Sequence, residues 1–234
     1  VTVAAESTVA IVTEPTEMAI GVAHKGFVWT EIDIKGRAAH GSRPELGIDA
    51  IVKAGPLLVG LEELGRRVAS HRHPLLGPAT IHASLIEGGH EPSTIPEHCR
   101  LTIERRTLPG ESLADTEREF AILLARCADA DRDFAADTRT LMYRPALETR
   151  ADHPIVLAID AAHQSMRGRA AEVTGMSYWA DSAFIAAHGI PTVLFGPGGD
   201  GAHAEVEWVS ITDTVDCARI LFTVASSMDH KPLV

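Results

Sequence analysis

Phe27-Val28-Trp29-Thr30-Glu31-Ile32-Asp33-Ile34-Lys35 alternates apolar and polar residues along its length. Successive side chains of a strand point to opposite sides, so Val28, Thr30, Ile32 and Ile34 share one face and Trp29, Glu31, Asp33 and Lys35 the other. A half-buried strand of an antiparallel sheet is expected. After the loop 41–46, Ile48, Ile51, Val52, Leu58, Leu61, Leu64 and Val68 recur at helical spacing, with Gly55-Pro56 expected to kink or split the helix. Two strands follow, near residues 79–87 and 99–106, joined through Gly88-Gly89 and a turn from Pro92 to Pro96. Ser112, with Asp115 three residues on, opens a second helix whose apolar stripe is Leu113, Phe120, Leu123, Leu124 and Cys127. A weaker strand at 133–141 completes a βαββαβ order, the ferredoxin-like α+β arrangement of four antiparallel strands with two helices on one face.

The flanks read differently. Residues 8–12 form a short apolar run ending at Thr13-Glu14-Pro15-Thr16, a buried strand that delivers an acid to its carboxyl end, where α/β sheets carry their chemistry. Beyond Tyr143 the pattern is again α/β: a helix after Asp152, a strand near 172–176, a helix 181–188 closed by Gly189, a strand 192–195, and a last helix 213–226. The fold class expected is therefore α/β, with residues 1–24 and 142–234 forming one domain and the α+β module, 25–141, inserted into it. A first piece this short cannot close a fold alone, which points to packing against the C-terminal piece or to sequence upstream of Val1.

Composition bounds the function. Of the 234 residues 45% are hydrophobic and 23% charged, the balance of a folded globular chain. The net charge of −11 argues against nucleic acid as a partner. No apolar run approaches the roughly 18–20 residues of a membrane helix, so no membrane partner is expected. Cys99, Cys127 and Cys217 are odd in number and lack C-x-x-C spacing, which fits a reducing, cytoplasmic compartment.

Residues suited to chemistry lie mostly at predicted strand ends. Gly196-Pro197-Gly198-Gly199-Asp200-Gly201-Ala202-His203 follows the last strand, with Glu207 beyond; backbone N–H groups opened by glycines suit an anion, and the His203 ring suits a metal. A plain strand-to-helix loop is the competing reading. Glu14 suits a carboxylate ligand or a turn cap, and two ligands leave a catalytic zinc incomplete, since such ions take three protein ligands and a water. Arg106 can clamp a carboxylate in a bidentate pair, or form a surface ion pair with Glu104. Taken locally, His40 is one of 12 histidines.

In order along the chain stand Glu14-Pro15-Thr16, His24-Lys25-Gly26, Gly36 to Pro44 with His40, Gly88-Gly89 with Ile95-Pro96 and Arg106, Ala180-Asp181, Gly189-Ile190-Pro191, and Gly196-Pro197-Gly198 with Ala202-His203 and Glu207. This series resembles the zinc-dependent amidohydrolases and exopeptidases that include acetylornithine deacetylase, succinyl-diaminopimelate desuccinylase, aminoacylase and carboxypeptidase G, and the resemblance covers essentially the whole chain. It implies a partial α/β catalytic domain with an inserted lid and dimerisation domain. It also implies a homodimer and two zinc ions per site, with cobalt or manganese as substitutes. Glu14 would be a ligand of one zinc and His203 of the other. His40 would reach across the dimer and donate a hydrogen bond to the scissile carbonyl. Arg106, Ser93 and the loop with Gly196 and Gly198 would hold the substrate. Ser93 stands where the family usually has asparagine.

The implied reaction is hydrolysis of the amide bond of N-acyl amino acids or short peptides by water activated between the metals. The family's H-x-D motif, bridging aspartate and adjacent glutamate pair have no counterpart before Glu14. Val1 is thus expected to be an internal start, and the chain an incomplete portion, inactive alone. Two other readings compete: a non-catalytic dimerisation or carboxylate-binding module, and a mononuclear enzyme using Glu14, His203 and a third ligand such as Asp181.

Overall fold

The alternation at 27–35 is realised as the long strand around which one half of the molecule is built. The computed structural model describes residues 8–228. In chain order the elements are β1 (Ala10–Val12), β2 (Ile20–His24), β3 (Gly26–Lys35), β4 (Ala39–His40), α1 (Ala50–Val68), β5 (Arg72–His73), β6 (Gly77–Pro78), β7 (Thr80–Gly88), β8 (Thr94–Ile95), β9 (His98–Thr107), α2 (Leu113–Ala130) and β10 (Ala135–Arg144). They continue with β11 (Leu147–Glu148), α3 (Pro154–Arg167), β12 (Val173–Met176), α4 (Ser182–Ala186), β13 (Thr192–Leu194), β14 (Gly199–Asp200), β15 (Trp208–Val209) and α5 (Ile211–Met228). The fold is mixed α/β and divides into two compact units, one of residues 26–144 and the other of the flanking segments.

In the inserted unit β3 pairs antiparallel with β9 and β10, and β7 adds to β9, giving the sheet order β10-β3-β9-β7. This is the ferredoxin-like arrangement the sequence predicts. Val28, Thr30, Ile32 and Ile34 are buried as the alternation requires. Ile32, Ile34, Leu101 and Ile103 pack with Leu57, Leu61 and Leu64 of α1 and Phe120, Leu123 and Cys127 of α2. Each such side chain contributes roughly 1.5–3 kcal/mol by leaving water. Ser112 and Asp115 form the reciprocal capping box that starts α2. Pro56, expected to kink or split the first helix, lies inside a continuous α1 instead. Gly55 and Pro56 are on its exposed side, where the carbonyl left without a donor is open to solvent, while Ala54, Leu57, Gly60 and Leu61 lie on the buried side.

In the other unit β2 is central: it pairs with β11, β12 and β13, and β1 adds to β13 in parallel. Ile20 and Val22 join Val193 and Phe195 against Ile155, Val156 and Ile159 of α3 and Ile220 and Val224 of α5. On the opposite side Leu147, Met176, Ala180 and Leu194 form a smaller cluster. A Cβ added at Gly21 would crowd Met176 and Leu194 there. No strand was expected over β2, because all five residues are buried and a strand buried on both faces shows no alternation. The helix expected over 181–188 is shorter, Ser182–Ala186, and the last helix begins earlier, at Ile211.

Candidate metal and substrate site

Glu14 and His203 reach the site on irregular backbone. Beyond β1 the chain turns through residues 13–19, with Glu17 at φ 55° and Met18 at φ 63°; beyond β13 it loops to His203 at φ 65°. Among the described residues these are the only non-glycine positions in the left-handed region, where each costs on the order of 1–3 kcal/mol and persists only if its surroundings hold it. The surroundings do hold it. The Gly196 N–H donates to Thr16 Oγ1 at 3.0 Å and the Met18 N–H to the Gly196 carbonyl at 2.9 Å. The Gly199 N–H donates to Glu17 Oε1 at 3.1 Å. A side chain at position 196 would place its Cβ 2.1 Å from the Glu14 carbonyl oxygen, a backbone approach that needs glycine, whereas one at 198 would meet only the movable side-chain oxygens of Glu17 and Asp213.

The two predicted ligands, 189 positions apart in sequence (203 − 14), line one cavity of about 840 Å³ together with Glu17, Tyr178, Trp179, Glu207 and Trp208. Tyr178 donates its hydroxyl proton to the Pro15 carbonyl at 2.7 Å. Burial, and then the negative Glu14 carboxylate, push that phenol up to about 12, so it stays protonated. A carboxylate oxygen and an imidazole nitrogen facing one cavity are donors that zinc accepts. Among the described residues, however, no three His, Cys, Asp or Glu side chains converge. Asp181, the third ligand of the mononuclear reading, precedes α4 and is not among the residues lining this cavity.

The glycine loop is not the open anion cradle the sequence suggested. Its N–H groups at 196 and 199 serve Thr16 and Glu17, and the one at 198 bonds Asp213. Asp213 is held below the usual carboxylate range, first by its hydrogen bond from Arg167. Gly196 therefore acts by letting two loops approach, and the chain's own acceptors already occupy the donors of both Gly196 and Gly198. The roles of Tyr178, Thr16, Glu17 and Asp213 carry no periodicity or spacing signal and were not anticipated.

The remaining predicted residues belong to the inserted unit. His40 ends β4, paired with Thr94 of β8, and Ser93 next to it accepts the Gly41 N–H at 2.7 Å. The Ser42 N–H donates to His40 Nδ1 at 3.2 Å, so in the neutral ring the proton sits on Nε2. His40 is exposed, a donor presented outward. Arg106 donates from Nε to Glu104 Oε1 at 2.5 Å and lies 5.2 Å over the Phe27 ring, the surface pairing that the sequence left open. In the β3–β9 register Arg106 is opposite Phe27, whereas Lys35, after which the chain leads to His40, is opposite His98. Eight steps (35 − 27) at about 3.4 Å each separate those two ends by about 27 Å.

A peptidase dimerisation domain is matched over residues 22–131. That model is the dimerisation domain of M20 peptidases, and it matches most of the inserted unit together with the last residues of β2. Acetylornithine deacetylase of Myxococcus xanthus is 29% identical over 219 residues, covering 91% of this chain and 55% of that protein. N-formyl-4-amino-5-aminomethyl-2-methylpyrimidine deformylase of Bacillus subtilis is 29% identical over 198 residues, 78% of this chain and 46% of that protein. The crystal structure of aminopeptidase PepT from Bacillus cereus superposes with a TM-score of 0.77 at 20% identity, over 93% of this chain and 56% of that one, a likeness of fold. The chain thus spans about half the length of the curated relatives it matches.

Proposed function

We propose that this chain serves a metal-dependent amidohydrolase of the M20 family that cleaves the amide bond of N-acyl amino acids or short peptides, with Glu14 a ligand of one zinc ion and His203 of a second. The observation that carries the reading is their meeting at one cavity on left-handed turns. Zinc, when bound, supplies Lewis acidity and lowers the pKa of water to about 7. Cobalt or manganese accept the same donors. The missing third donor among the described residues leaves each ion's set to be completed from outside them.

His40 Nε2–H donates to the carbonyl oxygen as charge develops on it, a contribution on the order of 3–4 kcal/mol in a dry site. Arg106, with only Nε engaged by Glu104, offers its terminal nitrogens to the substrate carboxylate. Ser93, beside His40, contacts the same end of the substrate. The separation of about 27 Å between the two ends of the sheet is too great for one small substrate to bridge, which supports His40 acting in the partner's site.

That geometry needs a homodimer through the inserted unit. β7 is hydrogen-bonded on one side only, and Leu85 and Ile86 on it are 60% and 54% exposed. Val52 and Val59 on α1 are 66% and 62% exposed. An open edge with apolar neighbours suits pairing with a second copy. Free, buried Cys99, Cys127 and Cys217 suit a cytoplasmic location. No helix among the described residues is long and apolar enough to cross a membrane.

The test uses the full-length protein loaded with zinc and a panel of N-acetyl, N-formyl and N-succinyl amino acids and dipeptides, with release of free amine as readout. Hydrolysis that disappears with zinc in Glu14→Ala and in His203→Ala is expected. Full zinc content in both variants, or no hydrolysis by the loaded protein, overturns the reading.

A further inference from the structure

Tyr178 follows β12, and its ring packs on the small cluster of Leu147, Met176, Ala180 and Leu194. Its hydroxyl reaches across to the Pro15 carbonyl, 2.7 Å away, from inside the cavity that Glu14 and His203 line. Pro15 has its φ fixed by its ring, so holding its carbonyl fixes the direction in which the chain leaves Glu14. On the other side the Glu14 carbonyl lies against Gly196, with no room for a Cβ. Glu14 is therefore gripped between the glycine loop and a phenol anchored in the core.

We propose that Tyr178 is a positioning residue for Glu14: through its hydrogen bond to the Pro15 carbonyl it holds the Glu14 carboxylate in the orientation that ligates metal. The inference rests on Glu14 being a ligand. Residues behind a ligand commonly set metal affinity by 10–100-fold when they fix its direction, and Tyr178 does so through backbone. Removal of the hydroxyl leaves the ring packing in place.

The experiment compares wild type, Tyr178→Phe and Glu14→Ala of the full-length protein, titrating zinc against a chromophoric chelator and melting each metal-free protein. The expected result is that Glu14→Ala abolishes one zinc site, and that Tyr178→Phe weakens that same site about tenfold without moving the metal-free melting temperature. If Glu14→Ala abolishes the site and Tyr178→Phe leaves its affinity unchanged, Tyr178 has no positioning role and the ligand assignment stands. If Tyr178→Phe weakens zinc only together with a large fall in the metal-free melting temperature, the effect is one of packing and the proposal is overturned. If Glu14→Ala keeps full zinc affinity, the ligand assignment falls and the positioning role with it.

Discussion

In the inserted unit no non-glycine residue has a positive φ, whereas around the Glu14 and His203 cavity three of them, Glu17, Met18 and His203, are left-handed. The first region is held by apolar side chains between one sheet and two helices. The second is held by hydrogen bonds between loops: Thr16 with Gly196, Glu17 with Gly199, Tyr178 with Pro15. The contrast teaches where each kind of energy is used. Burial makes a regular platform stable, while a web of directional bonds keeps strained turns in place so that two distant side chains face one space.

The largest effect that can break this contrast lies in the platform. Arg105 is only 1% exposed, on the inward side of β9, bonded to Glu111 at 2.7 Å and Glu119 at 3.1 Å. Burial acts to lower its pKa, but the bonds it donates to Glu119 and Glu111 outweigh it and the net shift is upward. Arg105→Ala strands two carboxylates and should cost about 3–5 kcal/mol in urea unfolding. A loss under about 1 kcal/mol would show that the platform does not depend on its buried ion pairs.

Next in size is His40→Ala, expected to lower turnover about 10²–10³-fold in the full-length enzyme with zinc content and melting temperature unchanged, because the side chain is exposed and bonded only locally. Loss of zinc from that variant contradicts the proposed role of His40 as a donor. Heterodimers of His40→Ala with His203→Ala should recover part of the activity, and no recovery in confirmed heterodimers contradicts action across the dimer.

Gly196→Ala sharpens the contrast from the loop side. Its Cβ would sit 2.1 Å from the Glu14 carbonyl, so a loss of about 1–3 kcal/mol in stability is expected together with weaker zinc binding. Stability lost with zinc affinity intact would mean that the loop approach does not orient Glu14.

The smallest effect is a pH dependence. His24 is wholly buried, its ring bonded to Ser182 Oγ and the Lys25 carbonyl, and burial lowers its pKa below the usual 6.5. Between the lowered folded value and 6.5 the unfolded chain binds more protons, so stability rises with pH there. The contribution is present above pH 6.5 and is lost as pH falls through the folded value, with a slope of up to about 1.4 kcal/mol per pH unit. His24→Gln should flatten this part of the melting-temperature profile, and an unchanged slope assigns the acid sensitivity to other groups.

The inserted unit was largely readable because its signals are local. The alternation of β3, the stripe of α2 and the Ser112 cap each lie within one element, and the βαββαβ order follows from their sequence. β2 was not readable, since Ile20 to His24 are all buried and the one polar residue, His24, stands at the end and marks no alternation. Pro56 misled because helix propensity loses to packing where the ring faces water.

For the site, Glu14 and His203 could be singled out locally, because the acid after a short strand and the glycine run before a histidine are features of the chain itself, whereas the roles expected of His40 and Arg106 came from the resemblance. That Glu14 and His203 line the same cavity depends on β1 and β13 pairing side by side across nearly the whole sequence. The sequence alone determined which residue types stand at strand ends and how each element alternates, because those properties are local in the chain. Only the tertiary structure decided that Gly196 and Gly199 spend their donors on Thr16 and Glu17 and that Tyr178 grips Pro15, because hydrogen bonds between loops depend on distances that no residue spacing encodes.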